Sequence, residues 1–332
     1  MKALLSTAPG GPETLELADI SAPEPGEGQI RVAVEACGIN FPDVLIIQDL
    51  YQFKPARPFA PGAEFAGTVD LVGPGVTGLA PGDRVMGSMV YGALAEQVCI
   101  DASRCFRIPD DMPMTEGAAL LLTYGTSYYA LERRAAIRPG ETLLVLGAAG
   151  GVGLAAVDLG KAMGARVIGA VSTPEKAAAV KQRGADEVII YPAGTLDRAA
   201  AKAFTDRIRG ASGGGVDVIY DAVGGSYAEP ALRAINWEGR YLVVGFPAGI
   251  PAIPLNLALL KSCQIVGVFW GGWIERALDE YRQDVSEILA LYAAGKIRPL
   301  VSATYPLSRG GDAIAHLASR SAIGKVVVTM AE

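Results

Sequence analysis

The sequence predicts an α/β protein in which a β-rich unit precedes a doubly wound parallel sheet. Three observations predict it. Apolar runs of strand length alternate with helix-length segments from 141 to 270, the pattern of parallel strands joined by crossover helices. The run Leu143-Leu-Val-Leu146 ends at once in a glycine turn, Gly147-Ala-Ala-Gly-Gly-Val-Gly153. Residues 1–100 are rich in valine, glycine and proline at short spacing, which suits short strands and tight turns.

The elements follow in order. In the first unit, 29–35 and 64–72 read as strands, with turns at Pro25-Gly26 and Pro81-Gly82. An apolar helical connection occupies 115–135. Strands are then expected at 143–146, 165–171, 186–190, 216–220, 240–245 and 264–269, and helices at 151–163, 174–182, 196–209 and 227–234. A long amphipathic helix is expected over 273–295. The run 324–330, rich in valine, closes the chain as one more strand.

The glycine turn carries the chemistry. It stands between a buried strand and a helix, and a second apolar strand, Ala165 to Val171, completes a βαβ unit. Glycines there let the backbone turn tightly and approach a pyrophosphate. The helix N-terminus supplies free N–H donors and the positive end of its dipole. Ala149, Gly150, Gly151, Val152 and Gly153 are therefore expected to hold a dinucleotide. Aligned to GxGxxG, Ala148 replaces the first glycine.

The end of the second strand bears on cofactor choice. An NAD site places an acid there for the ribose hydroxyls. Here the run is Val171-Ser-Thr-Pro-Glu-Lys176. Glu175 is its one acid. It follows Pro174 in a first helical turn, with Ser172 or Thr173 as N-cap, and capping accounts for it.

Composition excludes several classes. The chain has 332 residues, 51% hydrophobic and 19% charged, and a net charge of −6. It is long enough for two domains with cores of their own. The acidic balance argues against a nucleic-acid or acidic-membrane partner. No signal peptide or membrane span is expected, so the cytoplasm is the expected location. Cys37, Cys99, Cys105 and Cys263 form no CxxC pair and read as reduced thiols. The single histidine, His316, excludes a His-rich metal site, and no Gly-x-Ser-x-Gly elbow is present.

The block Ala148-Ala-Gly-Gly-Val-Gly153, after Gly140-Glu141, resembles the turn of the quinone oxidoreductase and zeta-crystallin branch of the medium-chain dehydrogenase/reductase superfamily. Lys161 matches that branch, and Asp158 departs from it where Gln is usual. The likeness runs along the whole chain. It implies a Rossmann nucleotide domain over 123–270 and a β-rich GroES-like catalytic domain over 1–122 and 271–332. Zinc enzymes of the superfamily ligate catalytic zinc with Cys, His and Cys; the matching places here are Asn40, Ala63 and approximately Leu122. The four-cysteine structural lobe is missing too, so no metal is expected.

The resemblance also implies site residues. Asn40 and Asp43 match the GxNxxD segment beside the nicotinamide. Asn40 is the candidate donor to an acceptor carbonyl, Asp43 the candidate orienting group, and Tyr51 the candidate proton donor. Thr126 matches a threonine beside the cofactor. Ser172, Lys176 and Tyr191 match contacts to the 2′-phosphate of NADPH. Gly245 and Phe246, with Phe269 and Trp270, match the segments that hold the nicotinamide amide. Lys325 stands where a basic residue often lies near the cofactor.

The implied function is hydride transfer from NADPH to a quinone or α,β-unsaturated carbonyl, an acceptor that needs no Lewis acid. Two rivals stay open. An enoyl-thioester reductase acting on acyl-CoA would need a basic mouth, for which Lys54 and Arg57 are the available cations. A non-catalytic NADPH-binding protein, structural or RNA-associated, is possible on the same scaffold. A homodimer is expected through the edge strand at 264–269.

Overall fold

A computed structural model describes residues 1–331 and divides the chain into two compact units. One comprises Met1–Leu122 and the chain from Pro299 onward; the other is Thr123–Arg298. Among the described residues no helix is long and apolar enough to cross a membrane.

The second unit is built on a six-stranded parallel sheet. Its order is Glu187–Ile190, Arg166–Val171, Thr142–Leu146, Val216–Asp221, Ile235–Val243 and Gln264–Gly267. The order reverses between Thr142–Leu146 and its neighbours, as in doubly wound nucleotide folds. Leu143 to Leu146 are fully buried, as a central parallel strand covered on both faces must be. The helices follow local signals. Thr173 caps Pro174–Gln182, accepting the Lys176 N–H, and Asp197 caps Arg198–Ser212, accepting the Ala200 N–H at 2.8 Å.

The expected domain limit at 271 is corrected to 299. The helices Trp270–Ile274 and Leu278–Ala293 belong to the second unit. Trp273 stacks on Tyr129 at 4.6 Å, the Arg133 guanidinium grips the buried Asp284, and the Tyr128 hydroxyl donates to Glu287. The single helix expected over 273–295 is likewise two, broken at 275–277. The last strand stops at Gly267, not 269.

The first unit centres on the long strand Gln29–Ile39. It pairs antiparallel with Glu64–Val72, Gln97–Asp101 and the C-terminal strand Lys325–Thr329. Val301–Pro306 joins that C-terminal strand in parallel. The chain end is thus stitched into the first unit by its own ladder. Ile30, Ile39, Phe65, Met86 and Leu94 fill this core completely. All four cysteines are free thiols, and Cys37 and Cys105 are buried.

Candidate active site

In the nucleotide-binding unit, the strand Thr142–Leu146 leads into a turn with a positive φ of 70° at Gly147. The N–H groups of Gly147 and Ala148 both donate to Ala170 O at 3.1 Å. Gly147 thus makes the tight turn, one residue before the position where alanine replaces glycine. Gly153 is demanded by packing: a Cβ there would lie 2.2 Å from Gly147 O. Gly150 differs. Its φ is −76°, it is the N-cap of helix Gly151–Ala162, and a Cβ there would meet nothing closer than Gly147 O at 3.6 Å. Nothing inside the protein requires a glycine at 150. The backbone at this helix N-terminus is of the kind an anion can approach.

Around this turn stand the other candidates. Thr126 is the one partly exposed residue between Thr123 and Ala130, on helix Leu121–Tyr128. The Ser127 hydroxyl docks that helix by donating to Val152 O at 2.9 Å. At the second strand end the N-cap is Thr173. The Glu175 carboxyl lies below its ordinary range because its own backbone N–H and the Thr173 hydroxyl bond to it. The Lys176 ammonium is half-buried, and desolvation lowers its pKa. Tyr191 is nearly buried, packed against Tyr227 at 4.7 Å and Phe204 at 5.5 Å. Burial pushes its hydroxyl up, opposed by the Gly147 N–H.

Asp221 was not singled out from sequence. It is 2% exposed, accepts the N–H groups of Val223 and Gly224 at 2.8 and 2.9 Å, and accepts the Tyr241 hydroxyl. Its carbonyl takes the N–H of Val244 and of Gly245 at 3.2 Å. It therefore fixes the loop that carries Gly245 and Phe246. An acid closing a mostly apolar strand, Val216-Asp-Val-Ile-Tyr-Asp221, was the available signal. Phe246 and Phe269 are exposed, whereas the Trp270 ring turns inward, so close to Gly125 that a Cβ there would lie 2.6 Å from it.

In the β-rich unit, Asn40, Asp43 and Lys325 come together. Asn40 precedes the short helix Phe41–Ile46. The Asp43 carboxylate accepts Asn40 N–H at 2.7 Å and Gly62 N–H at 2.9 Å. Burial raises its pKa to about 6; those two N–H groups and Lys325 pull it down, and Glu64 pushes it up. Lys325 Nζ donates to Ile39 O at 2.9 Å and to Asn40 Oδ1 and Glu64 Oε1 at 2.6 Å. An ammonium has three donors, so all are committed inside the unit. The Asn40 amide donates to Gly38 O and Glu64 Oε1 at 3.1 and 2.8 Å. Both of its N–H donors are thus engaged within the unit. Tyr51 is only half-buried, and its hydroxyl is held protonated first by burial and then by the Asp43 charge.

Metal chemistry does not fit this donor set. Asn40, Ala63 and Leu122 offer no thiolate or imidazole, and an ammonium already sits on Asn40 and Glu64. No group of three or more His, Cys, Asp or Glu among the described residues could hold a metal ion.

Comparison with known proteins gives the following. Residues 26–110 match the alcohol dehydrogenase GroES-like domain, and residues 151–292 match the zinc-binding dehydrogenase family. The mouse quinone oxidoreductase-like protein 2 is 38% identical over 312 residues, covering 93% of this chain and 87% of that protein. The structure of Escherichia coli quinone oxidoreductase complexed with NADPH superposes with a TM-score of 0.90 at 32% identity, over 99% of this chain and 100% of that one. A mycobacterial protein complexed with NADPH gives a TM-score of 0.91 at 32% identity, over 99% of each chain.

Proposed function

The chain belongs to the quinone oxidoreductase-like branch of the medium-chain dehydrogenase/reductase superfamily, and from that premise we propose that it is an NADPH-dependent reductase of quinones or α,β-unsaturated carbonyls. The observation that carries the reading is the glycine turn, where Gly150 is open to an outside group although no neighbour demands a glycine. NADPH supplies the hydride when bound. Gly150 to Gly153 would take its pyrophosphate, and Ser172 and Lys176 its 2′-phosphate. Glu175, the one acid in the run Val171–Lys176 after the second strand, is engaged by its own backbone N–H and the Thr173 hydroxyl.

Asn40, Ala63 and Leu122 offer a metal no thiolate or imidazole, so the acceptor in this reading is one that delocalises incoming charge itself. Tyr51 remains the candidate proton donor in the β-rich unit. Arg57 gives little support to the acyl-CoA rival, because its guanidinium already pairs with Asp49 at 2.9 Å and donates to Ile47 O and Ser6 Oγ. The deciding experiment is NADPH oxidation with a soluble quinone, a conjugated enone, crotonyl-CoA and acetone. Turnover confined to the quinone and enone is expected. Faster turnover with crotonyl-CoA, or none with any acceptor despite tight NADPH binding, would replace this reading with one of its rivals.

Lys176→Ala should weaken NADPH by about ten- to a hundredfold, since one charged hydrogen bond contributes roughly 1.5–3 kcal/mol. NADH should hardly respond. Equal loss for both cofactors would remove Lys176 from the phosphate site.

A homodimer completes the proposal. The strand Gln264–Gly267 is a sheet edge. The same unit exposes Ile250 at 84%, Leu255 at 75% and Leu259 at 80%, apolar surface of the kind an interface covers. Light scattering at micromolar concentration should give twice the chain mass, and a monomer mass would contradict it.

A further inference from the structure

Asp158 lies seven residues beyond Gly151 on its helix, about 10 Å along the axis at 1.5 Å per residue. It is too far to touch a group bound at the helix N-terminus. Its side chain is 4% exposed. The carboxylate accepts the Tyr124 hydroxyl at 2.6 Å, Arg183 Nε at 3.0 Å and the Arg183 terminal N–H. Arg183 also donates to Arg298 O.

Each partner sits on an element that carries a candidate cofactor group. Tyr124 is two residues before Thr126 on helix Leu121–Tyr128. Asp158 is on the helix that starts at the glycine turn. Arg183 directly follows helix Pro174–Gln182, whose first turn bears Lys176 and which Ser172 precedes. The glutamine usual at this position in the branch has one acceptor oxygen and brings donors of its own. A carboxylate accepts all three bonds and balances the arginine.

We propose that Asp158 is a positioning residue for the dinucleotide: with Arg183 and Tyr124 it locks the three cofactor-bearing elements of this unit against one another. The inference rests on the reading of that site as an NADPH site. A rigid mutual placement matters most to a ligand that touches all three elements at once, because the protein then has little left to order on binding. A fragment that touches one element gains nothing from it.

The test compares intact NADPH with adenosine 2′-monophosphate, which carries only the adenosine and the 2′-phosphate and lacks both phosphates of the pyrophosphate. Isothermal titration would be run on wild type, Asp158→Asn and Arg183→Lys. The lysine keeps the charge but cannot grip the carboxylate at two points, and it serves if the asparagine variant fails to fold. The expected result is a Kd for NADPH raised about tenfold, with the Kd for adenosine 2′-monophosphate changed by less than about twofold. Unchanged NADPH affinity, or equal weakening of both ligands, would overturn the proposal. Quinone turnover by the wild type tests the other reading separately: a protein that binds NADPH but reduces no acceptor would sink the function and leave the role of Asp158 standing.

Discussion

The glycine turn of one unit and the segment around Asn40 of the other are both short motifs held by buried strands. They treat their polar groups in opposite ways. At the turn, Gly150 leaves a helix N-terminus open where no neighbour fills the space. Around Asn40, the amide, the Asp43 carboxylate and the Lys325 ammonium bond to one another, to Glu64 and to the backbone. The first region has room beside its backbone, and the second is satisfied from within. Residue types alone do not separate the two cases. What separates them is whether each donor and acceptor already has a partner.

Three experiments would break or sharpen this contrast. The largest effect is expected at Lys325, 4% exposed and bonded to Glu64, itself 1% exposed. Lys325→Met leaves a buried carboxylate unpaired and should cost about 3–5 kcal/mol of stability. Adding Glu64→Gln should restore part of it. Chemical denaturation showing a loss under about 1 kcal/mol for the single variant would mean that the cluster is wet and the contrast false.

Next comes the pH dependence of Asp43. Its folded pKa of about 6 stands above its ordinary 3.8 because burial disfavours the charged form. The folded state then binds this proton more tightly than the unfolded state. Stability from this group is full below about pH 4 and falls as pH rises to about 6, by about 3 kcal/mol in all. Denaturation of wild type and Asp43→Asn across that window should show wild type losing ground to the variant as pH rises. Parallel curves would mean that the carboxylate is already ionised at pH 4.

The smallest expected effect compares two glycines of one turn. Gly153→Ala places a Cβ 2.2 Å from Gly147 O and should lower stability by about 1–3 kcal/mol through overpacking. Gly150→Ala has room and an ordinary φ, so its melting temperature should stay within about 2 °C of wild type. Its NADPH affinity should nevertheless fall by about tenfold or more, since the new methyl stands where the cofactor backbone must approach. A Gly150→Ala protein that binds NADPH normally would show that the opening is not the pyrophosphate site.

Much of the architecture was legible in the sequence. The alternation of strand and helix runs, the glycine turn and the Pro174 start of a helix are local signals, set by side-chain periodicity and allowed backbone angles. The boundary at 271 failed because Trp273, Asp284 and Glu287 find Tyr129, Arg133 and Tyr128 across some 150 residues of chain. Asp221 and Asp158 went unassigned for the same reason. An acid in a mostly apolar stretch says that it needs partners and does not say which.

The sequence by itself determined the fold class, the order of the units and the place of the glycine turn, because hydrophobic pattern and turn chemistry are written in neighbouring residues. Only the tertiary structure decided which polar groups remain open for chemistry. Lys325 meets Asn40 across 285 positions of sequence, and Asp158 meets Tyr124 across 34. A buried polar group must be satisfied wherever the fold brings a partner, and no local pattern records where that is.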